Sequence, residues 1–153
     1  MELGVDPALE SGRAVRRRVR ARWRDGYRVD LDLRDGRFTL VSDEPPEDGG
    51  TDSGPMPSEL LFAGVASCFA MAVAWAAHKR RRELVDLEVS VGGEYDRPGR
   101  RYRRLEVAAS SSLARTDPGE FAAILRLAEE VCWVTRTIGP GVLVEVRGGA
   151  PEP

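Results

Sequence analysis

Two cysteines and one histidine in 153 residues leave little of the usual chemical equipment. Cys68, Cys132 and His78 are too few for a structural zinc site or a secreted disulfide scaffold. The chain has no Gly-x-Ser-x-Gly segment, no Gly-rich phosphate loop after a strand and no paired histidines for a metal. A net charge of −2 and a pI near 5.6 provide no bulk positive field to recruit nucleic acid. Of the 23 cations only Lys79 is a lysine, a compositional bias that makes any one arginine weak evidence for function. The opening 24 residues are rich in charge, unlike a secretory signal. A cytoplasmic setting is expected, in which a cysteine pair is redox-active or simply buried rather than a structural bridge. Length predicts one domain spanning 1–153, large enough for a real core without metal or disulfide, with 1–12 and 148–153 as loose tails.

What the chain does have is an uncharged run of 18 residues, Leu60 to Ala77, with Cys68 inside it. Pro57 suits a first helical position, Ala, Leu and Met favour helix, and His78-Lys79-Arg80-Arg81-Arg82 suits the negative end of the helix dipole. Apolar residues fall on every side, which predicts a helix buried all round. The run has the minimal length of a membrane span. Half of it is Ala, Gly or Ser, and its flanks alternate as strands that need a core, so no membrane association is expected.

Before this run, a strand pattern starts at Val15. Val19, Ala21 and Trp23 lie on one face and Arg16, Arg18, Arg20, Arg22 and Arg24 on the other. Tyr27, Val29, Leu31 and Leu33 form the next apolar face. A two-residue Asp25-Gly26 turn would set apolar against charged residues. A three-residue loop, 25–27, with a bulge pairs Trp23 with Val29 and Arg22 with Asp30. A turn at Asp35-Gly36 then pairs Leu33 with Phe38. Residues 43–56 are a long loop by composition. After the helix, Val85, Leu87, Val89 and Val91 alternate, a turn follows at Arg97-Pro98-Gly99-Arg100, and Leu105, Val107 and Ala109 share one face. Asp117, Pro118 and Glu120 open a second helix as N-cap, N1 and N3. Phe121, Leu125, Ala128 and Cys132 lie on its inner face, and Val142, Val144 and Val146 form a last strand that fades at Gly148.

Cys68 lies about three turns into its helix, too deep for that helix's own dipole to lower its pKa. Any activation must come from a side chain on another element. His78 is ten residues on, roughly a quarter-turn away around the helix and about 15 Å along it, which argues against a Cys–His pair. Each cysteine alone reads as a small core residue. If the two meet, one forms a sulfenic acid and the other resolves it as a disulfide. The arginines at 97, 100, 101, 103 and 104 read as a solvated hairpin tip.

Asp43-Glu44-Pro45, Gly49-Gly50-Thr51-Asp52-x-Gly54-Pro55-x-Pro57-Ser58-Glu59-Leu60-Leu61 and Ala63-Gly64-Val65-Ala66-Ser67-Cys68 together resemble the OsmC/Ohr family, the osmotically inducible and organic hydroperoxide resistance proteins. Leu87-Glu88-Val89 and the segment from Cys132 to Ile138 are similar too, and the resemblance covers about Arg20 to Val146. It implies an α+β fold, with antiparallel sheets wrapped around two central helices in an intertwined homodimer. It also implies a cysteine peroxidase acting on small organic hydroperoxides. Cys68 would be the peroxidatic thiol and Cys132 the resolving one. An external dithiol, lipoyl in some members, would be the reductant, with no bound cofactor or metal. The family's arginine matches Arg28 best, with Arg24 next. Its glutamate slot after the proline holds Ser58, with Glu59 one position later. The alternative is a family member with a stress or small-molecule-binding role and no efficient peroxidase activity.

Overall fold

The computed structural model describes residues 16–150, arranged as two compact units that divide between Leu60 and Leu61. Val15 and the tail residues 1–12 and 151–153 lie outside the described residues.

The first unit is a three-stranded antiparallel meander of β1 (Val19–Asp25), β2 (Arg28–Leu33) and β3 (Phe38–Ser42). The strand begins at Val19, later than the alternation from Val15 implies. Trp23 pairs with Val29, Ala21 with Leu31, Arg22 with Asp30 and Leu33 with Phe38, the register expected from matching apolar faces. The extra residue at the first turn is Arg24. Asp25 pairs with Arg28 around Gly26-Tyr27, and a bulge between Trp23 and Asp25 keeps the register. Gly26 supplies the left-handed φ of 48°. At the second turn Arg34 and Asp35 are themselves left-handed, with φ of 49° and 55°, so the reversal starts one residue before Asp35-Gly36. The charged face pairs diagonally, Arg22 with Asp32 and Arg24 with Asp30, each at 2.6 Å. The opposite face leaves Val19, Trp23, Tyr27, Phe38 and Leu40 exposed.

The loop from 43 to 56 is ordered by one buried carboxylate. Asp43 is 2% exposed. Its Oδ2 accepts the hydroxyls of Thr51 (2.6 Å) and Ser53 (2.8 Å) and both their N–H groups, while Oδ1 accepts Glu44 N–H at 2.9 Å. The Thr51 hydroxyl leads in holding this carboxyl far below the usual carboxylate range, against the opposing cost of burial. Gly50 lies so close to the Glu44 carbonyl that no side chain fits there.

The helix α1 (Pro57–Lys79) begins at the predicted proline. Glu59 accepts Met56 N–H at 2.8 Å, the backward half of a capping box in which Met56 stands at the cap. Within the second unit Val65, Phe69, Ala72, Val73, Ala76 and Ala77 form its core face. The all-round burial expected of it does not hold within one chain. Ala63, Ser67, Met71, Ala74 and His78, spaced three or four apart, form an exposed stripe. Among the described residues α1 alone is long and apolar enough to cross a membrane.

A second sheet follows, ordered β4 (Glu88–Asp96), β5 (Arg101–Ser110) and β6 (Leu143–Gly149). Val85 is 82% exposed and lies before the strand, so the core alternation begins later than its spacing implies. Leu105, Val107 and Ala109 are buried as expected. β6 runs parallel to β5, a correction to the all-antiparallel arrangement that the resemblance implies. Parallel pairing needs a crossover, and the helices α2 (Leu113–Thr116), α3 (Pro118–Val131) and α4 (Trp133–Thr137) supply it. Gly148 and Gly149 are paired with Ala109 and Ser110 rather than frayed. Gly148 is required because α3 presses on it: an added Cβ there would run into Leu125 and Phe121. Asp117 caps α3, accepting Glu120 N–H at 3.1 Å. Phe121, Ile124, Leu125 and Ala128 complete the core with α1 and β5.

Candidate redox site

Besides the apolar core they share, α1 and α3 are joined by polar and sulfur contacts at two places. Arg80, just past the end of α1, donates to both carboxylate oxygens of Glu120 at 2.8 and 2.7 Å, and Arg82 reaches Asp117 at 3.0 Å. Twelve residues back along α1 and twelve forward along α3, Cys68 meets Cys132. Equal spacing in opposite directions means the two helices run antiparallel in register, an 18 Å separation at ~1.5 Å per residue.

The two sulfur atoms are 3.5 Å apart and both thiols are free. That is van der Waals separation, against about 2.05 Å in a disulfide bond. Their surroundings differ. Cys68 is partly exposed on α1, whereas Cys132 is 1% exposed within the core. Cys132 also ends α3 and starts α4, with φ −72° and ψ 108°. Its N–H bonds the Ala128 carbonyl at 2.9 Å, and its carbonyl accepts the Thr135 hydroxyl at 3.0 Å. The short helix α4 had no periodic signal to announce it, and it is the break at Cys132 that turns this thiol toward α1.

Burial pushes the Cys68 thiol above its ordinary value. The backbone N–H of Val134 opposes this, the adjacent Cys132 thiol adds to it, and the N–H of Trp133 again opposes it. Burial thus leads over the neighbouring amides, which soften the effect without reversing it. A cation must come from elsewhere if the thiol is to react quickly.

The other predicted site residues lie in the first unit. Arg28 opens β2, with Nε 3.9 Å from Asp30 Oδ1, while Arg24 holds Asp30 Oδ2 at 2.6 Å. Glu59 is engaged in capping its own helix. The structure thus brings Cys68 and Cys132 together and gives Arg28 and Glu59 partners within their own unit. His78 is exposed at the end of α1. Among the described residues no His, Cys, Asp and Glu cluster could hold a metal ion.

The family model described as OsmC-like protein matches residues 50–147, a span that contains both cysteines and most of the second unit. The chain belongs to the OsmC-like family. Solved structures agree on the fold. An OsmC-like protein from Mycoplasma pneumoniae matches with a TM-score of 0.75 at 16% identity, covering 90% of this chain and 99% of that one. An organic hydroperoxide resistance protein OsmC from Legionella pneumophila gives 0.71 at 23%, covering 89% and 98%. The organic hydroperoxide resistance protein OhrB of Bacillus subtilis gives 0.66 at 20%, covering 88% and 98%. No curated protein matches the chain. At these identities the likeness establishes the OsmC-like α+β fold, and the chemistry rests on the thiol pair itself.

Proposed function

We propose that this OsmC-like chain is a thiol-dependent peroxidase that reduces organic hydroperoxides. The observation that carries the reading is the 3.5 Å approach of a partly exposed thiol to a sealed one. In the first step the Cys68 thiolate attacks the terminal peroxide oxygen. An S–O bond forms, the O–O bond breaks, and the alcohol leaves with a proton. The Cys132 sulfur then attacks the Cys68 sulfenic acid, forming the S–S bond and releasing water. An external dithiol restores both thiols. The neighbours from Legionella pneumophila and Bacillus subtilis both carry organic hydroperoxide resistance in their names, which supports the same substrate class.

Cys68 needs a cation, and Arg28 is assigned that role, with Glu59 as the carboxylate that orients it. A homodimer is part of the reading. The exposed apolar face of the first sheet and the exposed Met71 stripe of α1 give a second subunit something to cover. Two free thiols suit a reducing cytoplasmic setting.

The test is mass spectrometry after a slight excess of an organic hydroperoxide. An intramolecular Cys68–Cys132 disulfide, absent in Cys68→Ser, is the expected product. Irreversible overoxidation of Cys68, or no reaction, overturns the proposal. A second reading, an OsmC-fold protein that binds a small molecule without efficient turnover, is favoured by the raised Cys68 thiol and the capping engagement of Glu59. It predicts ligand binding with no peroxide consumed.

A further inference from the structure

A disulfide between Cys68 and Cys132 offers two sulfurs to an incoming reductant, and in-line exchange at one expels the other. From the burial of the two sulfurs we infer that the reducing dithiol attacks Cys68 and that Cys132 is always the leaving group. This rests on reading the two thiols as a redox pair. It adds which of them faces the reductant.

Cys132 is 1% exposed and packed in the same core cluster as Ile124, Leu125 and Ala128. That wall belongs to its own chain, and a second subunit can only add cover to it. The backbone on either side is tied, by the bond to the Ala128 carbonyl and by those from Thr135 and Arg136 to its own carbonyl. An external thiolate therefore has no path to Cys132 short of opening the α3–α4 junction. Within one chain Cys68 is the residue of the pair that keeps partial exposure, while Cys132 keeps almost none.

The exchange balances as two displacements. A reductant thiolate attacks Cys68 Sγ, the S–S bond to Cys132 breaks, and the electron pair leaves on Cys132 Sγ, which takes a proton. The reductant's second thiol then attacks its own sulfur in the mixed disulfide. This closes the oxidised reductant and releases the Cys68 thiolate. Throughout, Cys132 stays next to Cys68, so it can expel a monothiol from the mixed disulfide and restore the starting bond. The second thiol of a dithiol competes with that reversal from within the same molecule.

The experiment prepares the full-length disulfide form with diamide, so that no peroxide step is involved. Limiting 2-mercaptoethanol is added, the reaction is acid-quenched at early times, and the unfolded protein is alkylated and mapped by peptide mass spectrometry. Mercaptoethanol on Cys68 is expected in at least about tenfold excess over Cys132. Equal labelling, or labelling mainly on Cys132, overturns the inference while leaving the peroxidase reading intact. A second arm needs no disulfide. Folded Cys132→Ser and Cys68→Ser, each with one thiol, are reacted with dithiodipyridine. Cys68 should react about a hundredfold faster than Cys132, with the difference abolished in denaturant. Equal rates in the folded variants also overturn it. Failure of diamide to close the disulfide counts against the redox pair itself, and the second arm still decides which sulfur is reachable.

Discussion

Closing the bond between Cys68 and Cys132 should stabilise the chain by an amount that the topology sets in advance. The cysteines are 64 residues apart in sequence. Constraining a loop of that length in the unfolded ensemble corresponds to about 4 kcal/mol at room temperature in the chain-entropy treatment. Native-state strain subtracts from this. The sulfurs must close from 3.5 Å to a bond, and Cys132 has little freedom to move because its N–H and carbonyl are both engaged. Most of the adjustment therefore falls on Cys68, whose side chain is only partly buried. An expected net gain of about 2–4 kcal/mol follows.

The assay is guanidinium unfolding of the oxidised and fully reduced protein at one protein concentration, since any self-association would make the midpoint concentration-dependent. With a slope of about 4 kcal/mol per molar, the oxidised midpoint should lie roughly 0.5–1 M higher. Cys132→Ser should show no shift on oxidation, and a lower baseline because a hydroxyl replaces a core sulfur. An oxidised midpoint equal to or below the reduced one would refute the reasoning. It would mean that closure forces the α3–α4 junction out of its native geometry, and that the 3.5 Å approach is packing rather than preparation for a bond.

Other consequences can be checked separately. Arg28→Gln should move the pH profile of the peroxide reaction upward. In the role proposed for it, Arg28 is the cation that offsets the effect of burial on the Cys68 thiol, and below the thiol pKa the rate drops about tenfold per pH unit; an unchanged profile removes Arg28 from that role. Asp43→Asn should lower the melting temperature and speed proteolysis between 43 and 56, because an amide cannot satisfy the donors from both Thr51 and Ser53 as well as Glu44. Since the folded carboxyl is held below its unfolded value, its contribution is complete above about pH 4 and fades as pH falls through the folded value. The wild type should therefore lose its advantage over Asp43→Asn only in acid; a gap that stays constant into strong acid contradicts this. Gly148→Val should cost about 1–3 kcal/mol in chemical unfolding, since Leu125 and Phe121 fill the space a side chain would need. A neutral result would mean that α3 can lift from β6.

The parts of the molecule legible from the residues were those governed by pattern and by local chemistry. Matching apolar to apolar was enough to place Trp23 opposite Val29, and Asp117-Pro118 was enough to start α3. What could not be read was whatever depended on a second element. Nothing in the alternation from Val142 to Val146 says that β6 pairs parallel with β5, because the direction is dictated by the crossover and not by the strand. Nor does either cysteine announce the other, since each sits on an apolar helix face where a small core residue would serve equally well. Their meeting follows from two helices running antiparallel with equal spans between the Arg80–Glu120 clasp and the thiols. Glu59 shows the converse. The residue that lies one place off the family pattern occupies the N3 slot of its own helix, where a carboxylate reaching back to Met56 is what helix capping requires. A Glu59→Gln variant keeps an acceptor for that N–H and removes the charge. The two roles therefore separate: an intact helix start with slowed peroxide reaction assigns Glu59 to the site, and an unchanged rate leaves it as a cap.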